Sequence, residues 1–289
     1  MADAPWTVLR LINWTKDYFA RAGLPDARLA AEVLLAHALG CRRIDLYARF
    51  DQVPPEAQLA AFRKLVAEAR DRRPIAHLVG QKDFYSLRFK ITADVLVPRP
   101  ESEILVSEAV AHLRSLGRPA RAWDVCTGSG CVAVATAAQV KDASVLATDI
   151  SPAAVAVAAE NAASHGLGDR VRCRTADLLD LPAGCEEFAA VDVITANPPY
   201  VAEGDEVAPE VRHEPRGALY AGPTGLDVIA RLAALAGRRL AAGGLLAMEF
   251  GAGQADAVRD LLVKAGDFAE PRIIRDQQGL ERTAAAKRK

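Results

Sequence analysis

Four residues, Asn197-Pro198-Pro199-Tyr200, limit what this chain can fold into more than any other stretch. They follow an apolar run, Ala189-Ala190-Val191-Asp192-Val193-Ile194-Thr195-Ala196, that reads as a buried strand. Two prolines offer no ladder N–H and hold φ fixed, so a central strand cannot continue through them. The chain must break at the strand's carboxyl end, which is where open α/β sheets place their ligands. The break leaves an amide side chain, main-chain carbonyls and an aromatic ring at that edge. Such a set suits a planar amino group: the oxygens of Asn197 and Pro198 accept its two hydrogens, and Tyr200 lies over its π-face. The chemistry expected of such a loop is methylation of nitrogen. The plainer alternative is a stiff turn, rich in Asn and Pro for local reasons. The upstream sequence weighs against it.

Upstream, the chain changes period twice. Residues 6–75 read as helical: Val8, Leu9, Leu11, Ile12 and Tyr18/Phe19 recur at helical spacing, with Gly23 as a C-cap. Asp26 opens a second helix that stops at Gly40, and Pro54-Pro55-Glu56 opens a third that Pro74 ends. From residue 80, Tyr85, Leu87, Phe89 and Ile91 alternate with polar residues, the signature of a β-hairpin or a pair of short strands. Val97-Pro98-Arg99-Pro100-Glu101 is a rigid connector to a helix over 102–116. From Arg121 strands alternate with Ala-rich helices. The expected strands are Ala122–Cys126, Ser144–Thr148, Val171–Thr175, Val191–Ala196 and Gly244–Phe250, with a terminal pair near 271–275 and 280–285. Alternation of this kind predicts an α/β fold with a mostly parallel sheet and helices on both faces. Three parts are expected: a helical bundle over 1–78, a β-hairpin linker over 79–100, and an α/β domain over 101–289.

The ends of the successive strands carry the chemistry. Asp124-Val125-Cys126-Thr127-Gly128-Ser129-Gly130 closes the first sheet strand and opens a helix; glycines there let the backbone approach a ligand and present N–H groups at a helix N-terminus. Position 133 is Ala, so this is not the dinucleotide pattern of three glycines. Asp149, followed by Ile150-Ser151-Pro152, ends the second strand; a carboxylate there can grip two ribose hydroxyls. It could also act merely as a helix N-cap. Asp177 ends the third strand, placed to accept from an adenine amino group while Leu178 covers the ring; a cap for a short helix is the other reading of Asp177. All these features, with Asn197 to Tyr200, fall on one edge of the sheet.

Composition sets further bounds. Net charge is −1, and residues 1–80 carry 12 Lys/Arg against 9 Asp/Glu, which gives no electrostatic case for a nucleic-acid or membrane partner. Hydrophobic residues make up 51%, enough for a sizeable core. The cysteines, Cys41, Cys126, Cys131, Cys173 and Cys185, are odd in number and lack C-x-x-C spacing, which argues against a disulfide framework and a zinc site. No His or Lys lies near Cys126 in sequence to lower its pKa, so Cys126 and Cys131 read as packing residues. No secretory signal and no run of 18 apolar residues stands out, so a soluble, cytoplasmic protein is expected.

The same residues carry a family resemblance. The order of the glycine loop, Asp149, Asp177 and Asn197 to Tyr200 resembles the class I S-adenosylmethionine-dependent methyltransferases. Within them the chain resembles the protein-(glutamine-N5) methyltransferases that modify peptide-chain release factors. The matching segments include Arg73-Pro74-Ile75-Ala76-His77, Phe84-Tyr85, Val97-Pro98-Arg99-Pro100-Glu101-Ser102-Glu103, Glu214-Pro215, Gly225-Leu226 and Met248-Glu249-Phe250-Gly251. One departure is Cys126, where the family usually has Gly. The stretch around it also resembles the sister enzymes that methylate a glutamine of a large-subunit ribosomal protein, and that substrate stays open as an alternative. A nucleic-acid adenine-N6 methyltransferase and a non-catalytic adaptor are more distant alternatives.

The resemblance implies a Rossmann-like, seven-stranded sheet and S-adenosylmethionine as cofactor, without a metal. Cys126, Thr127, Gly128, Ser129, Gly130, Asp149, Ile150, Asp177, Leu178 and Asn197 would bind the cofactor. Asn197, Pro198, Pro199 and Tyr200 would carry the reaction and, with Arg99 and Glu101, hold the substrate. The partners implied are class 1 release factors, recognised by the helical N-terminus and met by a monomer. An amide nitrogen is a poor nucleophile, so the work expected of the site is alignment rather than general-base catalysis.

Overall fold

The computed structural model describes residues 5–289; residues 1–4, where the expected bundle begins, lie outside the described residues. The chain divides into two compact units. The first takes in the residues up to Gln81 together with Val207–His213, and the second comprises Lys82–Glu206 and Glu214–Lys289.

The first unit is helical. Helix α1 (Val8–Arg21) buries Val8, Leu11, Ile12, Thr15 and Phe19 along one stripe, the spacing that the sequence shows. Thr7 caps its start by accepting the Arg10 N–H through Oγ1 at 3.3 Å. At its other end Arg72 donates to the carbonyls of Ala22 (2.6 Å) and Gly23 (3.0 Å), a cation placed where the helix dipole is negative. The same guanidinium holds Glu210 at 2.6 Å, which draws the 207–213 segment onto this unit. Helix α2 (Ala27–Leu39) stops at Gly40, whose φ of 61° is the left-handed turn expected of a C-terminal glycine. Helix α3 (Glu56–Arg70) completes the bundle. Within residues 5–81 two elements were not anticipated: a 3-10 turn over Arg43–Arg49 and a short helix, α4 (Ile75–Val79). Pro74 ends one helix and also starts α4, because its fixed φ suits a first turn as well as it obstructs an interior one.

The expected hairpin, β1 (Gln81–Phe84) and β2 (Leu87–Lys90), follows, all but Gln81 in the second unit. Its two-residue turn places Tyr85 at φ 48° and Ser86 at φ 63°, the left-handed pair that a tight hairpin needs. After helix α5 (Glu103–Ser115) come β3 (Ala120–Val125), α6 (Cys131–Gln139), β4 (Ala143–Asp149), α7 (Pro152–Ser164), β5 (Val171–Thr175) and β6 (Val191–Ala196). Helix α8 (Asp227–Arg239), β7 (Leu240–Glu249), α9 (Ala255–Ala265), β8 (Arg272–Arg275) and β9 (Glu281–Lys287) follow. Among the described residues these strands make a seven-stranded sheet in the order β5-β4-β3-β6-β7-β9-β8. It is parallel except for β9, which runs antiparallel to β7 and β8.

All six residues of β6 are buried, as are nearly all of β3 and β4, which explains why these strands read as continuous apolar runs. The core holds Trp123, Ile194, Leu246 and Phe250, none of them exposed to solvent. Each such aliphatic or Phe side chain contributes roughly 1.5–3 kcal/mol by its burial. The indole N–H of Trp123 donates to Thr148 Oγ1 at 2.8 Å, so its one polar group is satisfied. Strand β7 begins at Leu240, four residues before the expected Gly244. The register against β6 shifts there, with Gly243 at φ 74°, so the glycine pair forms a bulge inside the strand rather than a boundary. Chain order reverses between β3 and β6: β4 and β5 lie to one side, β6 and β7 to the other. This is the switch point at which α/β sheets open a crevice.

Candidate active site

The loop after β3 is shaped by residues with positive φ. Cys126 (56°), Gly128 (54°) and Gly130 (78°) turn the chain back on itself before α6 begins. Gly130 stands against α7 so closely that a Cβ on it would come within 2.9 Å of the Ala158 Cβ. Only glycine combines that approach with that conformation. Cys126 adopts the left-handed turn at a cost a glycine would not bear. Beneath the loop lies Asp124, buried, accepting from Thr127 Oγ1 at 2.5 Å and Thr195 Oγ1 at 2.7 Å. It ties the loop to β6. Burial raises its pKa to about 6, against the pull of those two hydroxyls.

At the end of β4, Asp149 accepts the Gly128 N–H on Oδ2 (2.9 Å) and the Ser151 N–H on Oδ1 (3.0 Å). Burial nevertheless pushes its pKa up from the ordinary carboxylate value. The N-cap of α7 is Ser151, whose Oγ accepts the Ala154 N–H, so Asp149 is not spent on capping. At the end of β5, Asp177 pairs with Arg231 of α8, Nη2 to Oδ2, at 2.8 Å. The pairing leaves Oδ1 available to a further donor. Leu178 follows in the left-handed region (φ 49°) and is buried.

At the end of β6 the chain breaks at Asn197 as expected. The segment beyond is clamped on three sides. Val201 exchanges main-chain hydrogen bonds with Leu219 and Ala221, at 2.8 and 2.9 Å. Gln254 Nε2 donates to the Tyr200 carbonyl at 3.0 Å. A Cβ on Gly225 would collide with that same carbonyl, so glycine is required there. The Tyr200 hydroxyl donates to Glu249 Oε1 at 3.4 Å, and burial pushes its pKa up.

These strand ends enclose a cavity of about 520 Å³, in the range of small-molecule sites. It brings together Arg99, Cys126, Thr127, Gly128, Ser129, Asp149, Ile150, Asp177, Leu178, Asn197 and Pro199. Gly130, Pro198, Tyr200 and Glu101 do not line it. Gly130 supports the loop from behind, Pro198 is buried between two lining residues, and Glu101 lies on the 3-10 turn Pro100–Ser102. Arg99 reaches the cavity while paired to Glu214, a buried carboxylate that also accepts the Val97 N–H at 3.0 Å. The thiol of Cys126 is raised by burial and by the carboxylates of Asp149, Asp124 and Asp177, which makes it inert as a nucleophile.

Four residues of the site receive no role of their own from the sequence: Asp124, Ser102 and Glu249, which appear only inside motif segments, and Arg231. Ser102 and Glu249 are buried and bonded to each other, Oγ to Oε2, at 2.6 Å, and Asn197 Nδ2 donates to Ser102 Oγ at 3.0 Å. A signal for Glu249 was present: it is the one charge in the apolar run Leu245–Phe250, at a strand's carboxyl end. Among the described residues no group of three or more His, Cys, Asp or Glu is placed to hold a metal ion. Nor is any helix long and apolar enough to cross a membrane.

Residues 10–80 match the model of the PrmC N-terminal domain, and residues 122–213 match that of a methyltransferase domain. A crystal structure of a methyltransferase from Pyrococcus furiosus shares the fold, with a TM-score of 0.51 at 17% identity over 71% of this chain and 91% of its own. Sheet order, glycine loop and strand-end acids thus define a class I S-adenosylmethionine-dependent methyltransferase. The chain is 44% identical to a release factor glutamine methyltransferase of Rhodopirellula baltica, over 97% of its length and 96% of the relative's. It is 39% identical to one of Geobacter sulfurreducens, over 99% of each. The chain belongs to the release factor glutamine methyltransferase family.

Proposed function

We propose that this chain methylates the side-chain nitrogen, N5, of the glutamine in the Gly-Gly-Gln motif of class 1 release factors, with S-adenosylmethionine as methyl donor. The observation that carries the reading is the orientation of Asn197 in the cavity wall. Its Nδ2 is taken by Ser102, which leaves Oδ1 as the amide atom available to a donor in the cavity. A glutamine –NH2 is such a donor. Its second hydrogen would go to the carbonyl of Pro198, which sits between the lining residues Asn197 and Pro199 without itself lining the cavity, on a chain that the prolines hold rigid.

The residues present suit the cofactor. The left-handed turns at Cys126, Gly128 and Gly130 fold the loop back so that Thr127, Gly128 and Ser129 lie along the cavity wall. Asp149 offers two carboxylate oxygens, each with one lone pair engaged by a main-chain N–H, to a pair of ribose hydroxyls. Asp177, held by Arg231, would accept the adenine amino group, between Leu178 and the exposed Ile150. Thr127, Gly128 and Ser129 would face the amino-acid end. Bound there, the cofactor supplies a methyl group already activated on a sulfonium.

What the chain adds is alignment and tuning. Acceptors on both N–H bonds of the glutamine orient its nitrogen and favour a less planar, more electron-rich form. They also match the positive charge that develops on the nitrogen. Tyr200, half-buried beside the loop and anchored to Glu249, would fix the wall against which the amide rests. No general base is needed, since the proton is lost readily once the nitrogen carries the methyl. The helical unit, 1–78 by the sequence reading, would hold the release factor, with the hairpin over 79–100 as linker and 101–289 as the catalytic domain.

The test is a transfer assay with labelled S-adenosylmethionine, offering a release factor and the large-subunit ribosomal protein side by side. Label on the Gly-Gly-Gln glutamine, mapped by mass spectrometry, is expected. Label on the ribosomal protein alone would move the chain to the sister activity.

A further inference from the structure

We propose that Ser102 and Glu249 are positioning residues that fix which face of the Asn197 amide the cavity receives. The inference rests on the reading of Asn197 given above and extends it to two residues beyond the loop. Three hydrogen bonds carry it: Asn197 Nδ2 to Ser102 Oγ at 3.0 Å, Ser102 Oγ to Glu249 Oε2 at 2.6 Å, and Tyr200 OH to Glu249 Oε1 at 3.4 Å. Ser102 and Glu249 are 2% and 1% exposed, and Glu249 does not line the cavity, so it acts on no ligand directly.

The direction of the chain follows from proton counting. An ionised carboxylate only accepts. Ser102 has one proton and gives it to Glu249, so its oxygen must accept from Asn197. Only the –NH2 end of that amide can donate. Oδ1 is therefore turned to the cavity, as an acceptor for a donor there. A proton on Glu249 removes the constraint: the carboxyl can donate to Ser102, Ser102 can donate to Oδ1, and the amide can turn its own –NH2 toward the substrate –NH2. Two donors would then face each other. The anionic end also polarises the chain and strengthens Oδ1 as an acceptor.

The groups facing Glu249 pull both ways. Burial raises its pKa to about 7, and Glu101 adds to that; the hydroxyls of Ser102 and Tyr200 and the guanidinium of Arg282 oppose it. Arg99 acts on Tyr200 from the cavity side, and Cys131 of α6 also faces the carboxylate. A buried charge of this kind is costly. A glutamine in its place could make the same number of hydrogen bonds, but it could equally donate to Ser102 and would not set the direction.

Two readouts on the full chain test the inference. The first is the side-chain amide signals of Asn197 by 15N NMR, assigned through Asn197→Ala and followed from pH 5.5 to 8.5 without substrate. In the wild type they should titrate with Glu249, and in Glu249→Gln they should not. The second is kcat for methyl transfer to the release factor beside the dissociation constant for S-adenosylmethionine. Glu249→Gln and Ser102→Ala should each lower kcat about 10- to 100-fold, the range of a misaligned reacting group, with cofactor affinity within about threefold. The acid limb of the wild-type kcat profile should be missing in Glu249→Gln. The positioning role is overturned if the Asn197 signals ignore pH in the wild type. It is also overturned if Glu249→Gln keeps the wild-type kcat and profile, or if folded variants lose cofactor affinity and kcat in parallel. Absence of glutamine methylation by the wild type would instead strike the proposed function, and the NMR titration would still report on the relay.

Discussion

The main-chain N–H of Gly128 donates to Asp149 Oδ2 across 2.9 Å, so the glycine loop after β3 and the carboxylate ending β4 are held as one unit. Asp149→Ala should therefore do more than remove a ligand contact: it also frees the loop. Hydrogen bonds to a charged group contribute about 1.5–3 kcal/mol, so cofactor affinity should fall roughly 10- to 100-fold. Isothermal titration with S-adenosylmethionine measures this, and Asp149→Asn, which keeps one acceptor, should fall between.

Gly130 is required twice over, by its φ of 78° and by the nearness of Ala158. Gly130→Ala should destabilise the second unit by about 2–5 kcal/mol, the joint cost of a left-handed alanine and an overpacked contact. In an Ala158→Gly background the nearest clash, with the Ala158 Cβ, is removed, while the close approach to the Cα at 3.1 Å and the backbone strain stay. Urea unfolding of the double variant should recover part of the loss.

At Cys126 the expectation runs the other way. A left-handed non-glycine residue costs about 1–2 kcal/mol, more than the roughly 0.5–1 kcal/mol of chain entropy that a glycine loses. Cys126→Gly should leave stability unchanged or slightly higher, while a β-branched Cys126→Val should lower it. Alkylation of the native chain near pH 7 should spare Cys126, whose thiol is raised by burial, and reach half-buried Cys41 first.

The outline of this architecture is legible in the sequence because each strand end carries its own punctuation. Asn197-Pro198-Pro199, Asp149 before Ser151-Pro152 and the glycine pair 128/130 all mark real breaks at one edge of the sheet. What escapes reading depends on contacts made far along the chain. Ser102 meets Glu249 across 147 residues, and Arg231 meets Asp177 across 54, so neither pairing has a local pattern. Left-handed turns at Cys126, Leu178, Tyr85 and Ser86 were equally hidden, since none of these residues announces a positive φ. The glycine bulge in β7 looks like a loop from the sequence, which puts the strand's start at Gly244 instead of Leu240.

Two buried carboxylates should shape stability against pH. Asp124 and Glu249 have folded pKa values of about 6 and about 7, against ordinary values of 3.8 and 4.5. Between about pH 4 and pH 7 the folded chain holds protons that the unfolded chain has released, so their contribution to stability declines as pH rises through that window and is level above it. The change is on the order of 3 kcal/mol for each group. Paired carboxylates such as Asp192, held low by Arg118, titrate in the opposite sense, so the comparison must be with a variant. Asp124→Asn should flatten the lower part of the decline in chemical unfolding from pH 4 to 8.

The most direct test of the central claim is single-turnover methyl transfer to the release factor by Asn197→Ala, with cofactor affinity measured on the same preparation. Loss of the acceptor facing the cavity should cut transfer about 100-fold or more while leaving cofactor binding within a few fold. Equal loss of both in a folded variant, or transfer at the wild-type rate, would contradict the role assigned to the Asn197 amide.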